Sequence, residues 1–256
     1  MKILAIGDIV GQNGVNYTTR KLKDIKKDYN IDFVIANAEN ACVGNGLNTN
    51  TANELIKSGI DVITLGNHAF KKSEVVNLLL NKKNVIRPAN FPSGTVGNGY
   101  TIITFNDIRI CVINLMGRMN LLTVDCPFKK ADSILDEVKG KCDIIIVDFH
   151  ADASSEKQAM GFYLDSKVNA VFGTHTHIQT ADERVLPGGT GYIGDIGMTG
   201  TLDSVLGVKK EIIIQRFITQ LPKKFEVAEG KQQLCGAIFE FDDKTYKCKN
   251  VERLKV

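Results

Sequence analysis

The sequence predicts an α/β protein. Short apolar runs rich in β-branched residues alternate with amphipathic stretches at helical spacing, and the ligand-type residues, all four histidines among them, recur where those runs end. With 256 residues, 43% hydrophobic and 24% charged, the chain has the composition of a soluble globular protein and is long enough to bury a large core. No repeat, low-complexity tract or linker breaks the pattern, so a single domain over residues 1–256 is expected.

KILAIGD (2–8) reads as the first strand, and the next stretch sets Val15, Leu22, Ile25 and Tyr29 on one helical face. DFVIANAEN (32–40) is the second strand, followed by a helix around TANELIKSG (51–59) with Gly59 as its C′ residue. DVITLGNH (61–68) is the third strand, and SEVVNLLLNK (73–82) a helix capped by Ser73. YTIITF and IRICVINL form a hairpin across the turn-prone pair Asn106-Asp107. FKKADSILDEVKGK, DIIIVDFH, SSEKQAMGFYLDSK and NAVFGTHTH then restore the alternation of helix and strand. A Gly-rich segment, LPGGTGYIGDIGMTG, leads through EIIIQRFI to a final hairpin around FEFDDKTYKC.

Composition excludes several classes. The net charge is +3 and the lysine pairs are dispersed, so nothing marks a nucleic-acid groove. Six cysteines without a CxxC pair fit reduced packing thiols better than a disulfide framework or a thiolate zinc site. No apolar run is long enough to span a membrane, and the first one is short and meets Asp8, so a cytoplasmic protein is expected. A homo-oligomer stays open.

The ligand-type residues carry the chemistry. In an extended backbone, His175 and His177 of GTHTH would point to one face. Asp8 ends the first strand, Glu39 and Asn40 the second, Asn67 and His68 the third, and His150 the DIIIVDFH strand. In an open α/β sheet the carboxyl ends of the strands share one rim, so five segments deliver these groups to one place. Buried polar groups without partners cost stability, which makes core filling a poor explanation and a metal site a good one. Carboxylate, amide and imidazole donors without thiolates suit iron, manganese or zinc. They are too many for one four-coordinate ion, whereas two ions about 3.5–4 Å apart would use them all.

These blocks resemble the calcineurin-like metallophosphoesterases: Asp8 in GDIVG, Asn67-His68 in GNHAF, His150 in DFHAD, and GTHTH. More narrowly, ANAEN, LGNH, RPANFP, DCPF, SEKQAMG, GTHTHIQTADER and LPGGTGYIGDIGMTG are similar to the bacterial YmdB-like branch, over nearly the whole chain. The resemblance implies a four-layer α/β/β/α sandwich with a dinuclear metal site at the strand C-terminal ends. It also implies an enzyme that hydrolyses 2′,3′-cyclic nucleotides, a small-molecule phosphodiester substrate, through a metal-bridged hydroxide. One ion would be held by Asp8, Glu39, Asn40 and His177, the other by Glu39, Asn67, His150 and His175, with iron often assigned in the family and manganese or zinc as alternatives. His68 would be the general acid. The superfamily's usual DxH histidine is here Val10, and Glu39 and Asn40 stand where its GDxxD block falls, as in the narrower branch. The branch's Trp-Asp after the histidine block is replaced by Phe70-Lys71.

Other readings are a broad phosphomonoesterase or nucleotidase, or a metal-loaded regulatory protein with little turnover. Arg87 and Arg118 are candidate phosphate clamps or structural tethers, and the Gly-rich 188–200 segment either offers N–H groups to an anion or simply turns tightly. Asp125 and Asp195 read as loop anchors.

Overall fold

The computed structural model describes residues 1–256. In chain order the elements are β1 (Lys2–Ile6), β2 (Asp8–Ile9), α1 (Gly11–Tyr29), β3 (Phe33–Asn37), α2 (Thr49–Lys57), β4 (Val62–Thr64), α3 (Val75–Asn81), β5 (Tyr100–Phe105) and β6 (Ile108–Met116). There follow α4 (Pro127–Val138), β7 (Ile144–His150), α5 (Ser154–Leu164), β8 (Ala170–Thr174), β9 (Arg184–Val185), β10 (Gly191–Ile193) and β11 (Met198–Thr201). The chain ends with α6 (Lys210–Thr219), β12 (Gln232–Gln233), β13 (Cys235–Phe241) and β14 (Cys248–Lys255).

Two mixed sheets, ordered β14-β13-β1-β3-β4 and β5-β6-β7-β8-β10-β9, form the centre, with a small β12-β11-β2 sheet beside them. Strand alternation sorts the side chains into layers. Ile3, Ala5, Phe33 and Ile35 of the first sheet meet Ile110, Val112, Ile144 and Ile146 of the second. The intervening residues Leu4, Ile6, Val34 and Ala36 face outward onto α1, α2 and α3 through Leu22, Leu55 and Val75. On the far side Cys111, Ile113, Val147 and Phe149 pack on α4 and α5 through Ile134, Met160 and Leu164. Strands covered on both faces read as continuous apolar runs, which is why they were legible. The result is the expected α/β/β/α sandwich.

Several local expectations hold. Gly59, with φ of 110°, follows the end of α2, and Asn106 and Asp107 both adopt positive φ in the hairpin turn. Others are corrected. Ser73 makes no cap: α3 starts from Glu74 without a side-chain cap bond. The first strand breaks at Gly7, whose backbone passes so close to Gly197 that an added Cβ would lie 2.0 Å from its carbonyl oxygen. Asp8 therefore begins β2, which changes partner and pairs with β11. The β-branched EIIIQRFI, which the apolar pattern assigns to neither helix nor strand, is helical, and in it only Ile213 is buried. All six cysteines are free thiols, and no helix is long and apolar enough to cross a membrane.

Candidate metal centre

Strand ends of both large sheets meet at one point. His150 is the last residue of β7 and fully buried, and its ring fits only because position 66 is glycine: a Cβ there would come within 2.4 Å of the imidazole. Three groups close on His150 Nε2. Asn67 Oδ1 lies at 2.9 Å, His175 Nδ1 at 3.1 Å and Glu39 Oε1 at 3.1 Å. The approach of Glu39 has poor hydrogen-bond geometry, so Oε1 remains a buried carboxylate oxygen without a donor. Ligand atoms of Glu39, His150 and His175 all lie within 4.8 Å of one another. Beside them, Asp8 Oδ1 is 3.3 Å from Asn40 Nδ2 and 3.6 Å from His177 Nε2, and Asn40 Nδ2 is 3.3 Å from that same nitrogen.

The orientation of His150 is set from behind. Thr174 Oγ1 donates to Asp148 Oδ1 at 2.8 Å, so at 2.9 Å it can only accept from His150 Nδ1. Thr64 donates to the other Asp148 oxygen. The Nδ1 proton is thus engaged, and Nε2, whose lone pair is free once the ring is neutral, points at Glu39, Asn67 and His175. Acceptors facing one point repel unless a cation or proton joins them, and the residues therefore fit a metal ion.

Protonation follows the same geometry. Burial alone would lower the His150 pKa, but the charge and contact of Glu39, then Asp8 and Asp148, push it up to about 9. Burial would raise that of Glu39, yet His150 and then His68 outweigh it and hold the carboxyl below its usual value. For His175, burial and the neighbouring His150 push the pKa down to about 4, so its ring is neutral with a lone pair to give. Burial takes His68 down as well, against the pull of Glu39.

The GTHTH segment corrects the extended-backbone argument. The strand stops at Thr174, and His175 (φ 101°) and His177 (φ 64°) both sit in the left-handed region. The loop is held by carboxylates. His175 N donates to Asp8 Oδ2 at 3.0 Å, and Thr176 N and Oγ1 donate to Asp195 Oδ2 at 3.0 and 2.7 Å. Asp195 also takes the buried Lys157 ammonium at 2.6 Å and Gly197 N at 2.9 Å. The loop-anchor reading of Asp195 holds.

His68 donates its backbone N–H to Glu39 Oε2 at 2.7 Å, and its half-buried side chain lines a cavity of about 1050 Å³ with Asn40, His175 and His177. Lys71 borders the same cavity, whereas Phe70 packs edge-on against Phe91, with ring centroids 5.5 Å apart. Arg87 is a tether: its guanidinium donates to the carbonyls of Pro88, Thr95, Val96 and Gly97. Arg118 and Asp125 do not line the cavity. In the Gly-rich segment, the N–H groups of Gly188, Gly194 and Gly197 are occupied by Asp165, Asp182 and Asp195, and the segment carries β10 and the turn from it to β11.

The family model described as YmdB-like protein matches residues 4–254. The chain belongs to the YmdB-like family. A Bacillus subtilis (strain 168) relative named 2′,3′-cyclic-nucleotide 2′-phosphodiesterase is 47% identical over 256 residues, covering 100% of this chain and 97% of its own. A YmdB-like chain of such similarity is expected to share its fold with solved homologues, and a Thermus thermophilus protein described as hypothetical superposes with a TM-score of 0.94 at 38% identity, covering 100% of this chain and 99% of that one. The sandwich alone is shared with a 5′-nucleotidase precursor of Thermus thermophilus, with a TM-score of 0.58, 12% identity, and coverage of 100% and 54%.

Sequence reasoning missed Asp148, Thr174 and Lys157. The available signal was Asp148 itself, an acid inside the otherwise apolar IIIVDFH.

Proposed function

We propose that this chain is a metal-dependent phosphodiesterase that opens nucleoside 2′,3′-cyclic phosphates. It is read as one metallophosphoesterase domain over residues 1–256, working in the cytoplasm with two ions, iron before manganese or zinc. The observation that carries the reading is the convergence of Glu39, Asn67 and His175 on His150 Nε2 at the edge of the cavity. Membership of the YmdB-like family and the name of the Bacillus subtilis relative support the substrate class.

Asp8, Glu39, Asn40 and His177 would hold one ion, and Glu39, Asn67, His150 and His175 the other. Bound ions would supply Lewis-acid charge toward the phosphate oxygens and an acidified water as nucleophile. The side chains do the rest. Asp148, through Thr174, keeps the proton of His150 on Nδ1 and its Nε2 toward the site. Asp8 ties down the His175 backbone, and the His68 backbone N–H orients the Glu39 carboxylate. The His68 imidazole would give a proton to the departing ribose oxygen.

The test is metal analysis combined with a substrate panel on protein loaded separately with iron, manganese and zinc. Adenosine 2′,3′-cyclic phosphate should be opened and a nucleoside monophosphate should accumulate. Faster release of inorganic phosphate from monophosphates would replace this reading with a nucleotidase, and no turnover with any metal would replace it with a regulatory protein.

A further inference from the structure

The cavity beside the histidines, about 1050 Å³, lies just above the range of roughly 300–1,000 Å³ for small-molecule sites and far exceeds what a phosphate needs. Its lining differs in chemistry from part to part. Glu39, Asn40, His68, His175 and His177 make one part polar, while α6 and the loops flanking it build another. Ile213, Arg216 and Phe217 line it at the i, i+3, i+4 spacing of one helical face, with Gln220, the left-handed residue that caps α6, beside them. Phe217 is 71% exposed and Phe225, also on the cavity, 47%. The Arg216 guanidinium sits over the Phe225 ring, 5.1 Å from its centroid. The outer residues Ile214 and Ile218 belong to the other face of the helix and do not border the cavity.

We infer that Arg216, Phe217 and Phe225 form a nucleobase platform continuous with the reacting end of the cavity. This rests on the phosphodiesterase reading for that end. A nucleoside cyclic phosphate is an anion joined to a flat, largely apolar ring with a polar edge. Phe217 offers an open aromatic face for stacking, and Arg216, held over Phe225, offers planar donors to the ring edge. A second copy of the chain could cover an apolar helix, but Phe217 and Phe225 line the same cavity as His68 and His175, which ties these rings to the space a substrate would occupy. The platform makes the protein select cyclic phosphates that carry a base.

Phe217→Ala and Phe225→Ala remove exposed rings, not core. In metal-loaded protein, kcat/KM for adenosine 2′,3′-cyclic phosphate relative to glycerol 1,2-cyclic phosphate, which has no base, should fall about 5- to 100-fold in each variant. An unchanged ratio overturns the platform. Calorimetry reads the same contact without turnover: adenosine 3′-monophosphate should bind more tightly than inorganic phosphate, with the advantage lost in Phe217→Ala. If wild type hydrolyses neither cyclic phosphate but shows that advantage and its loss, the platform stands and the phosphodiesterase reading falls. Turnover without preference for a base keeps the reaction and overturns the platform. So do variants that leave ratio and binding intact while shifting light-scattering mass from an oligomer to a smaller species, which would assign the helix to a second copy.

Discussion

His150 shows how a single residue can be legible as a candidate ligand and illegible in its protonation. Its place at the end of an apolar strand marked it, but the Asp148-Thr174 pair behind it is separated in sequence and meets only through the parallel pairing of β7 and β8. With its pKa pushed up to about 9, the ring is charged at pH 7.5 in metal-free protein. An ion needs the Nε2 lone pair, so binding must expel that proton, and affinity should rise with pH until about 9 and flatten above. Calorimetric titration in buffers of different ionisation enthalpy should therefore show about one more proton released by wild type than by His150→Gln. Equal release would place the proton elsewhere. His68 has the opposite shift, its pKa held below 6.5 by burial. As a donor it must be protonated, so the rate with a cyclic nucleotide should carry a limb that falls as pH rises, with its midpoint below 6.5. His68→Ala should remove that limb and slow the cyclic nucleotide by about 10²- to 10⁴-fold. Bis-p-nitrophenyl phosphate, whose leaving group needs no proton, should lose much less. A common factor for both substrates would make His68 a phosphate-positioning group.

The elements were legible where burial set a period and less so where the backbone obeyed distant partners. Helices α1, α2, α4 and α5 and the β5-β6 hairpin follow the apolar pattern. The HxH segment does not, because Asp8 and Asp195 hold its N–H groups and bend it out of the strand. EIIIQRFI is ambiguous by composition, since its β-branched run suits a strand while its long-range role is to wall a cavity as a helix. Asp195→Asn tests what holds the histidine loop. The amide can still accept from Thr176, but Lys157, 4% exposed, loses its counter-charge. Breaking a buried pair this way should cost about 3–5 kcal/mol in denaturant unfolding. Metal affinity should fall while kcat at saturating metal changes less. Adding Lys157→Met should restore part of the stability but not the affinity, because the loop anchor is still weakened. Unchanged metal affinity in Asp195→Asn would show that the left-handed backbone of His175 and His177 is maintained without it.

At the scale of the molecule, the candidate ligands divide between the sheets. Asp8, Glu39, Asn40 and Asn67 follow β1, β3 and β4 of the first sheet, whereas His150, His175 and His177 end or follow β7 and β8 of the second. The strand ends were legible one by one, but their distribution over two sheets was not, because nothing in local periodicity says which strands pair. Glu39 occupies the joint: one of its oxygens takes the His68 N–H from the first sheet's side, and the other faces His150 of the second. Ions bound there would tie the two sheets together and stabilise only the folded chain. At a free ion concentration about 100 times Kd the gain is about 2.7 kcal/mol, or roughly 5–10 °C in melting temperature for a chain of this size. Removing metal with a chelator should lower Tm by that amount. Amide exchange should rise together at the carboxyl ends of β3 and β7, which lie in different sheets. Glu39→Gln should abolish turnover and flatten the metal dependence of Tm while circular dichroism stays native, since an amide keeps the shape but not the charge that offsets the ions. Exchange that rises in the second sheet alone, or a Tm in Glu39→Gln that still responds fully to metal, would mean that the ions are held by the histidines and do not join the sheets through Glu39.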